Sequence, residues 1–195
     1  MQRTEERVMQ AVTELLAEVG YRQMTIDLIA QRSGVGRATI YRRWQNVPTL
    51  AVSAFEALLG PGLPAPDHGD VRTDLIHLYR RFAKILLQSQ WGELLPSLIE
   101  ANKNDPAFDG MLARIDRERR TNSQTILERA KARGEIDAQA NVDWVIDTLS
   151  GAFYYRFLIS GGRLAERGLV EWIVDSVLSQ LRIENHAPDL SPKTK

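Results

Sequence analysis

Residues 34–44, GVGRATIYRRW, decide the fold of this chain. Two glycines precede one short helical segment, and three arginines lie within that segment. A helix of this length is not stable in isolation, because nucleation costs more than a few backbone hydrogen bonds return. The sequence therefore predicts that neighbouring helices hold the segment in place, and its charge indicates an anionic partner.

The short helix is predicted to turn one face to the core and the other to solvent. At about 100° per residue, Ile40 and Trp44 lie one turn apart and point inward. The opposite face and its flanks carry small, hydroxylated, aromatic and cationic side chains: Ala38, Thr39, Tyr41, Arg42 and Arg43. Side chains of these types contact base edges and phosphates in protein–DNA complexes.

The residues before this segment are predicted to form the first helix of a helix-turn-helix. Thr25 is a suitable N-cap for that helix, and the glycines of the turn, including Gly36, keep side chains away from the DNA backbone. In such a motif the second helix enters the major groove of DNA. Arg37 and Arg42 are predicted to bond guanine. Phosphates suit Tyr41, Arg43 and the helix end at Thr25.

Charge is distributed unevenly along the chain. The whole sequence has 195 residues and a net charge of zero, with 25 basic and 25 acidic residues. Between residues 20 and 50, however, five arginines face a single aspartate. A neutral protein with one basic end is expected to meet a polyanion at that end.

The remainder of the chain repeats its apolar residues at helical spacing, and no stretch alternates as a half-buried strand would. The sequence predicts an all-α protein of about nine helices. Its units are a three-helix DNA-binding unit with its following helix (residues 1–59), a linker or loop (60–70), a larger helical unit (71–184) and a disordered tail (185–195). Pro96 is predicted to kink or break the helix that contains it.

The stretch GYRQMTIDLIAQRSGVGRATIYRRW, residues 20–44, resembles the DNA-binding domain of the TetR family of transcriptional regulators. The resemblance covers residues 5–58, and a looser one to the family's ligand-binding and dimerisation domains follows. It implies a homodimer, usually a repressor, that leaves a palindromic operator when a small molecule enters the larger unit. By position it implies DNA contacts at Arg37, Ala38, Thr39, Tyr41, Arg42 and Arg43, and a phosphate contact at Thr25. Val47 departs from the family pattern, which has lysine there in many members.

Candidate ligand contacts are apolar side chains, most of them aromatic, on the helical stripes of the larger unit, and they predict a mostly apolar ligand. They are Tyr79, Phe82, Trp91, Met111 and Tyr154. Ordinary core packing is the alternative for each of them, because aromatic residues dominate cores.

Candidate dimer contacts lie on the last two predicted helices, which are expected to pack with their copies as a four-helix bundle. They are Val145, Leu149, Ala152, Val174, Val177, Leu178 and Leu181.

A second candidate function is left open, in which the larger unit of a DNA-binding activator or architectural protein binds a protein partner.

Several protein classes are not indicated. The chain has no cysteine, its three histidines are scattered, and no catalytic motif is present, so we predict no metal, no cofactor and no enzymatic activity. The first residues lack an apolar signal core, and charges interrupt the longest apolar region. The expected location is the cytoplasm, without a membrane partner.

Overall fold

The computed structural model describes residues 2–59, 64–161 and 163–181. The predicted all-α fold is confirmed: within these ranges there are nine α-helices and no strand. The helices are α1 (Gln2–Glu18), α2 (Ile26–Ser33), α3 (Arg37–Tyr41), α4 (Val47–Leu59), α5 (Val71–Gln88), α6 (Gln90–Asn104), α7 (Met111–Arg133), α8 (Val142–Leu158) and α9 (Leu169–Leu178). Short 3-10 turns lie at Tyr21–Gln23, Pro106–Phe108 and Arg163–Ala165.

The first helices form as their capping residues predict. Thr25 Oγ1 accepts a hydrogen bond from the backbone N–H of Leu28 at 3.2 Å, and this bond caps α2. Gly34 ends α2 with φ of 64°, a left-handed conformation that favours glycine. Asn46 Oδ1 accepts from the backbone N–H of Thr49 at 2.9 Å and caps α4. These local features fix where α2 begins and ends and where α4 begins.

The larger helices pack around α5, which contacts α6, α7, α8 and α9. Asp70 caps α5, because its Oδ1 accepts from the backbone N–H of Thr73 at 2.8 Å. The start of α6 approaches the end of α5 so closely that a Cβ on Gly92 would lie 1.9 Å from the carbonyl oxygen of Leu86. Only glycine fits at that position.

The sequence predicts that Pro96 kinks or breaks its helix. The break is wrong, because α6 continues through Pro96 from Gln90 to Asn104. A proline lacks the N–H of one helical hydrogen bond. Tertiary packing outweighs that loss here, since Leu94, Leu95 and Leu98 on the same helix are all buried.

The two predicted units touch through α6. Its residues contact α1, α4 and the 3-10 turn after α1. Phe55 of α4 packs edge-to-face on Trp91 of α6, with ring centroids 6.4 Å apart, and on Phe108 at 6.2 Å.

The domain limits stay a prediction, and the predicted tail at 185–195 lies outside the described residues. None of the helices in the described ranges combines the length and apolarity needed to cross a membrane.

Candidate DNA-binding and ligand-binding sites

The helix α3 is anchored by the residues that the sequence places on its inner face. Ile40 is fully buried and Trp44 is 7% exposed. Val35, in the turn before α3, is buried beside them. Three buried apolar side chains thus hold a five-residue helix that would not form alone.

The outer face of α3 is available to a partner. Exposed residues there are Gly36, Arg37, Ala38, Tyr41, Arg42 and Arg43, and Thr39 is half-buried. Thr39, Arg42 and Arg43 also line a groove of about 510 Å³ between α3 and the beginning of α1. The structure therefore leaves all the predicted α3 residues at least partly accessible, and their contact with DNA stays a prediction.

Two of the three α3 arginines already have acidic partners within the chain. Arg37 Nε lies 2.7 Å from Asp27 Oδ1 on α2, and Arg43 pairs with Glu5 on α1. The Arg43 guanidinium also lies 5.7 Å from the ring centroid of Trp44. Arg42 forms no ion pair with the described part of the chain, so it is the cation whose approach to a base requires no internal bond to break.

The other two arginines of the basic region do not belong to this surface. Arg32 forms ion pairs with Glu14 and Glu18 on α1, at 3.2 and 2.6 Å. Arg22 Nε lies 2.9 Å from Glu100 Oε1 on α6. The sequence count could not reveal these pairs, because the acidic residues lie outside residues 20–50. The basic end is therefore narrower than its sequence indicates and is centred on α3.

Among the described residues, no acceptor takes the hydroxyl hydrogen of Thr25, the predicted phosphate contact at α2. Thr25 Oγ1 accepts a bond from Leu28, which leaves its hydroxyl hydrogen available to an anion at the beginning of α2. Val47 is half-buried at the first position of α4 and brings no charge to the equivalent end of that helix.

The predicted ligand contacts divide into separate places. Tyr79, Phe82 and Tyr154 share one ring cluster, in which the Phe82 centroid lies 6.2 Å from Tyr79 and 5.4 Å from Tyr154. The ring partner of Trp91 is Phe55 on α4 instead. Met111 is buried at the beginning of α7. The structure thus brings three of the five together, and their role as ligand contacts stays a prediction.

Polar groups inside this ring cluster were missed by sequence analysis. The Tyr79 hydroxyl lies 3.2 Å from Ser150 Oγ and 3.5 Å from Ser123 Oγ, and all three side chains are buried. Burial also raises the pKa of the Tyr154 hydroxyl above its usual value. The guanidinium of Arg119 lies over two of the rings, 4.8 Å from the Phe82 centroid and 5.0 Å from that of Tyr154. The sequence signal for Arg119 is a run of basic residues along α7. Such a run usually marks a solvated helix face, so it does not point to an arginine among aromatic rings.

The predicted dimer contacts lie mostly in the interior of the chain. The role of all seven at an interface stays a prediction, and six of them are buried in the chain's own core: Val145, Leu149, Val174, Val177, Leu178 and Leu181. Ala152 is half-buried. The exposed large apolar side chains of this region lie on the other faces of the same helices: Trp144, Tyr155, Leu158 and Ile159 along α8, and Trp172 on α9.

Comparison with known protein families identifies both units. Residues 8–46 match the pattern of bacterial regulatory proteins of the tetR family, and residues 65–177 match the tetracyclin repressor-like C-terminal domain. The chain is 30% identical over 159 residues to the HTH-type transcriptional regulator YdeS of Bacillus subtilis, which covers 81% of this chain and 80% of YdeS.

Solved structures agree with this relationship. The crystal structure of the TetR family transcription regulator SCO0332 is 30% identical, with a TM-score of 0.62 over 91% of this chain and 98% of that one. MexZ, described as a repressor responsible for antibiotic resistance in Pseudomonas aeruginosa, has a TM-score of 0.76 at 17% identity, over 96% of this chain and 98% of its own, and so shares the fold. The chain belongs to the TetR family and is a helix-turn-helix transcriptional regulator.

Proposed function

We propose that this regulator is a homodimeric repressor that binds a roughly palindromic operator and leaves it when a small, mostly apolar ligand binds the larger unit. The observation that carries the proposal is the geometry of α3. Its inner face is fixed by Ile40 and Trp44, and its outer face presents Arg42 without an ion pair among the described residues. A rigid helix with such a face is suited to the major groove.

The exposed face of α8 and α9 supports the dimer. Trp144, Gly151, Tyr155 and Ile159 follow one another at helical spacing, and Trp172 is 65% exposed on α9. We call these five residues the α8–α9 surface. Monomeric proteins rarely leave several large apolar side chains exposed on neighbouring helices, and a second copy related by twofold symmetry would cover them. Two copies of α3 would then face two half-sites.

The contacts of α6 support a route from ligand to DNA. The helix α4 offers one route, because it follows the helix-turn-helix directly. The Phe55–Trp91 contact and the ion pair of Arg22 with Glu100 add α6 to that route. Movement of α6 would change the spacing of the two α3 helices, and ligand binding and operator binding would then oppose each other by the same factor. We further propose a cytoplasmic location and neither catalysis nor a metal or cofactor.

Selection of bound sequences from random double-stranded DNA tests this function. We expect the full chain to enrich a palindrome whose half-sites lie about one helical turn apart, or a multiple of it. Affinity for the selected duplex should fall steeply as salt rises, because phosphate contacts release counterions. Enrichment of unrelated sequences, or binding that is indifferent to salt, would contradict the proposal.

A further inference from the structure

The side chain of Arg119 on α7 lies inside the aromatic cluster of the larger unit. Its guanidinium carbon is 4.8 Å from the centroid of Phe82 and 5.0 Å from that of Tyr154, and 22% of the side chain is exposed. A cation in such a place needs hydrogen-bond acceptors, because aromatic faces replace only part of its lost hydration. The N–H groups of this guanidinium that have an acceptor, and those that lack one, therefore indicate which ligand group it can bind.

One edge of the guanidinium is only half used. Nη2 donates to Asp116 Oδ1 at 2.8 Å, whereas Nε is buried and has no acceptor among the described residues. The N–H groups of Nε and Nη2 point the same way and match the two oxygens of a carboxylate. Asp116 does not fill this edge, since its other oxygen faces Arg120 at 3.7 Å.

The surroundings of this edge favour an organic acid with an apolar body. Phe82, Phe153 and Tyr154 supply ring faces, and the Tyr79 hydroxyl supplies a polar group with Ser123 and Ser150. A single negative charge balances the single guanidinium. A phosphate would add a second charge close to acidic residues that surround Arg120, namely Asp116, Asp143 and Asp147.

We propose that Arg119, between Phe82 and Tyr154, binds the carboxylate of a small molecule with an aromatic or long apolar body, which takes the Nε and Nη2 edge in place of Asp116. We call these three residues the Arg119 cage. The proposal rests on the ligand response proposed above and names the chemical class of that ligand.

The position of Arg119 on α7 connects the cage to the DNA-binding unit. Arg114, five residues earlier on the same helix, has Nη2 2.6 Å from Glu56 Oε1 on α4. A ligand that enters between α5 and α7 separates Arg119 from Asp116 and shifts α7. That shift is transmitted to α4 through the Arg114–Glu56 pair, and α4 follows the helix-turn-helix directly.

Calorimetric titration of the full chain with matched probes tests the proposal. The probes are naphthoate, its neutral amide naphthamide, and decanoate. We expect naphthoate to bind about tenfold or more tightly than naphthamide, since the carboxylate offers the guanidinium two anionic acceptors and the amide offers one neutral acceptor. Equal affinity for acid and amide, or failure of both carboxylates to bind at about millimolar concentration, would overturn it.

Variants locate the effect on the cage. Arg119→Gln should abolish the preference for the acid, and Arg119→Lys should recover only part of it, because lysine offers no two-pronged edge. The control is Arg117→Gln, which removes an exposed arginine from the same helix and should leave the preference intact. A preference that survives Arg119→Gln would contradict the proposal. If a variant fails to fold, the comparison of acid and amide on the unmodified chain still decides.

Operator binding without any probe separates this proposal from the repressor function. A chain that selects a palindrome but binds neither carboxylate retains the proposed repressor function and refutes the Arg119 cage. A chain that binds naphthoate through Arg119 but selects no DNA sequence does the opposite.

Discussion

The Tyr21 hydroxyl donates a hydrogen bond to Oδ2 of Asp105, and this bond joins the turn after α1 to the residue that follows α6. The Tyr21 ring also packs edge-to-face on Phe108, with centroids 4.8 Å apart. Ser97 on α6 donates to the backbone carbonyl of Leu16 on α1 at 3.2 Å. The DNA-binding unit is therefore attached to the larger unit at two sides, through α6 as well as through α4.

We expect Tyr21→Phe to destabilise the chain by about 1 kcal/mol at neutral pH, the usual value of one hydrogen bond. The bond from Tyr21 holds the pKa of Asp105 below its ordinary value. A carboxyl whose pKa is lowered by folding stabilises the protein above its unfolded pKa, and this contribution is lost as pH falls through the folded pKa. The loss caused by Tyr21→Phe should therefore shrink below about pH 4.

Chemical denaturation at several pH values measures this effect. The matched control is Tyr41→Phe, which removes the hydroxyl of a tyrosine that is 53% exposed and should leave the free energy of unfolding nearly unchanged. A destabilisation by Tyr21→Phe that grows as the solution becomes acidic would contradict the assignment.

Base recognition and phosphate contact should separate on α3. Arg42→Ala should cost about 1–3 kcal/mol of operator binding and relax the preference at one base pair, if Arg42 bonds guanine through two donors. Tyr41→Phe should weaken all duplexes about equally, because a phosphate contact carries no base information. Both are measured by competition among single-base variants of the selected duplex. A uniform loss with Arg42→Ala would show that its role is misassigned.

A cation at position 47 should strengthen binding without changing sequence preference. Val47→Lys places an ammonium at the beginning of α4, where the chain has a half-buried apolar residue. One added phosphate contact should steepen the salt dependence of log affinity by about 0.9. The control Val47→Gln adds length without charge, so an equal gain from it would rule out the ionic explanation.

The α8–α9 surface and the core beneath it should respond differently to charge. Trp172→Glu should give folded monomers with weak operator affinity, because the half-sites lose their linkage. Val177→Glu should instead lower the free energy of unfolding severely, since Val177 is 4% exposed in the chain's own core. Sedimentation velocity and circular dichroism distinguish the two results. A Trp172→Glu variant that remains dimeric would place the interface elsewhere.

Helical spacing and capping preferences predicted the inner face of α3. They did not predict contacts between residues that lie far apart in the sequence. Helical spacing sufficed to orient Ile40 and Trp44, and residue type sufficed for the cap at Thr25. The pair of Arg43 with Glu5 joins positions far apart in sequence, so no local pattern could reveal it. The same holds for the approach of Arg119 to Phe82.

The sequence could not reveal that most of the predicted dimer contacts are buried, and the reason is different. The helix α8 has apolar residues on two faces, with Val145 and Leu149 buried and Trp144 and Tyr155 exposed. Periodicity identifies both faces as apolar, and it does not say which one meets the chain's own core. Only the packing of α8 against its neighbours distinguishes them.

The central claim is that two copies of α3 bind two half-sites at once, and operator spacing tests it most directly. Fluorescence anisotropy would compare the selected duplex with one that carries about five extra base pairs, half a helical turn, between its half-sites. The account predicts a large loss of affinity, because the second half-site then faces away from the second α3. Unchanged affinity for the lengthened duplex would contradict it.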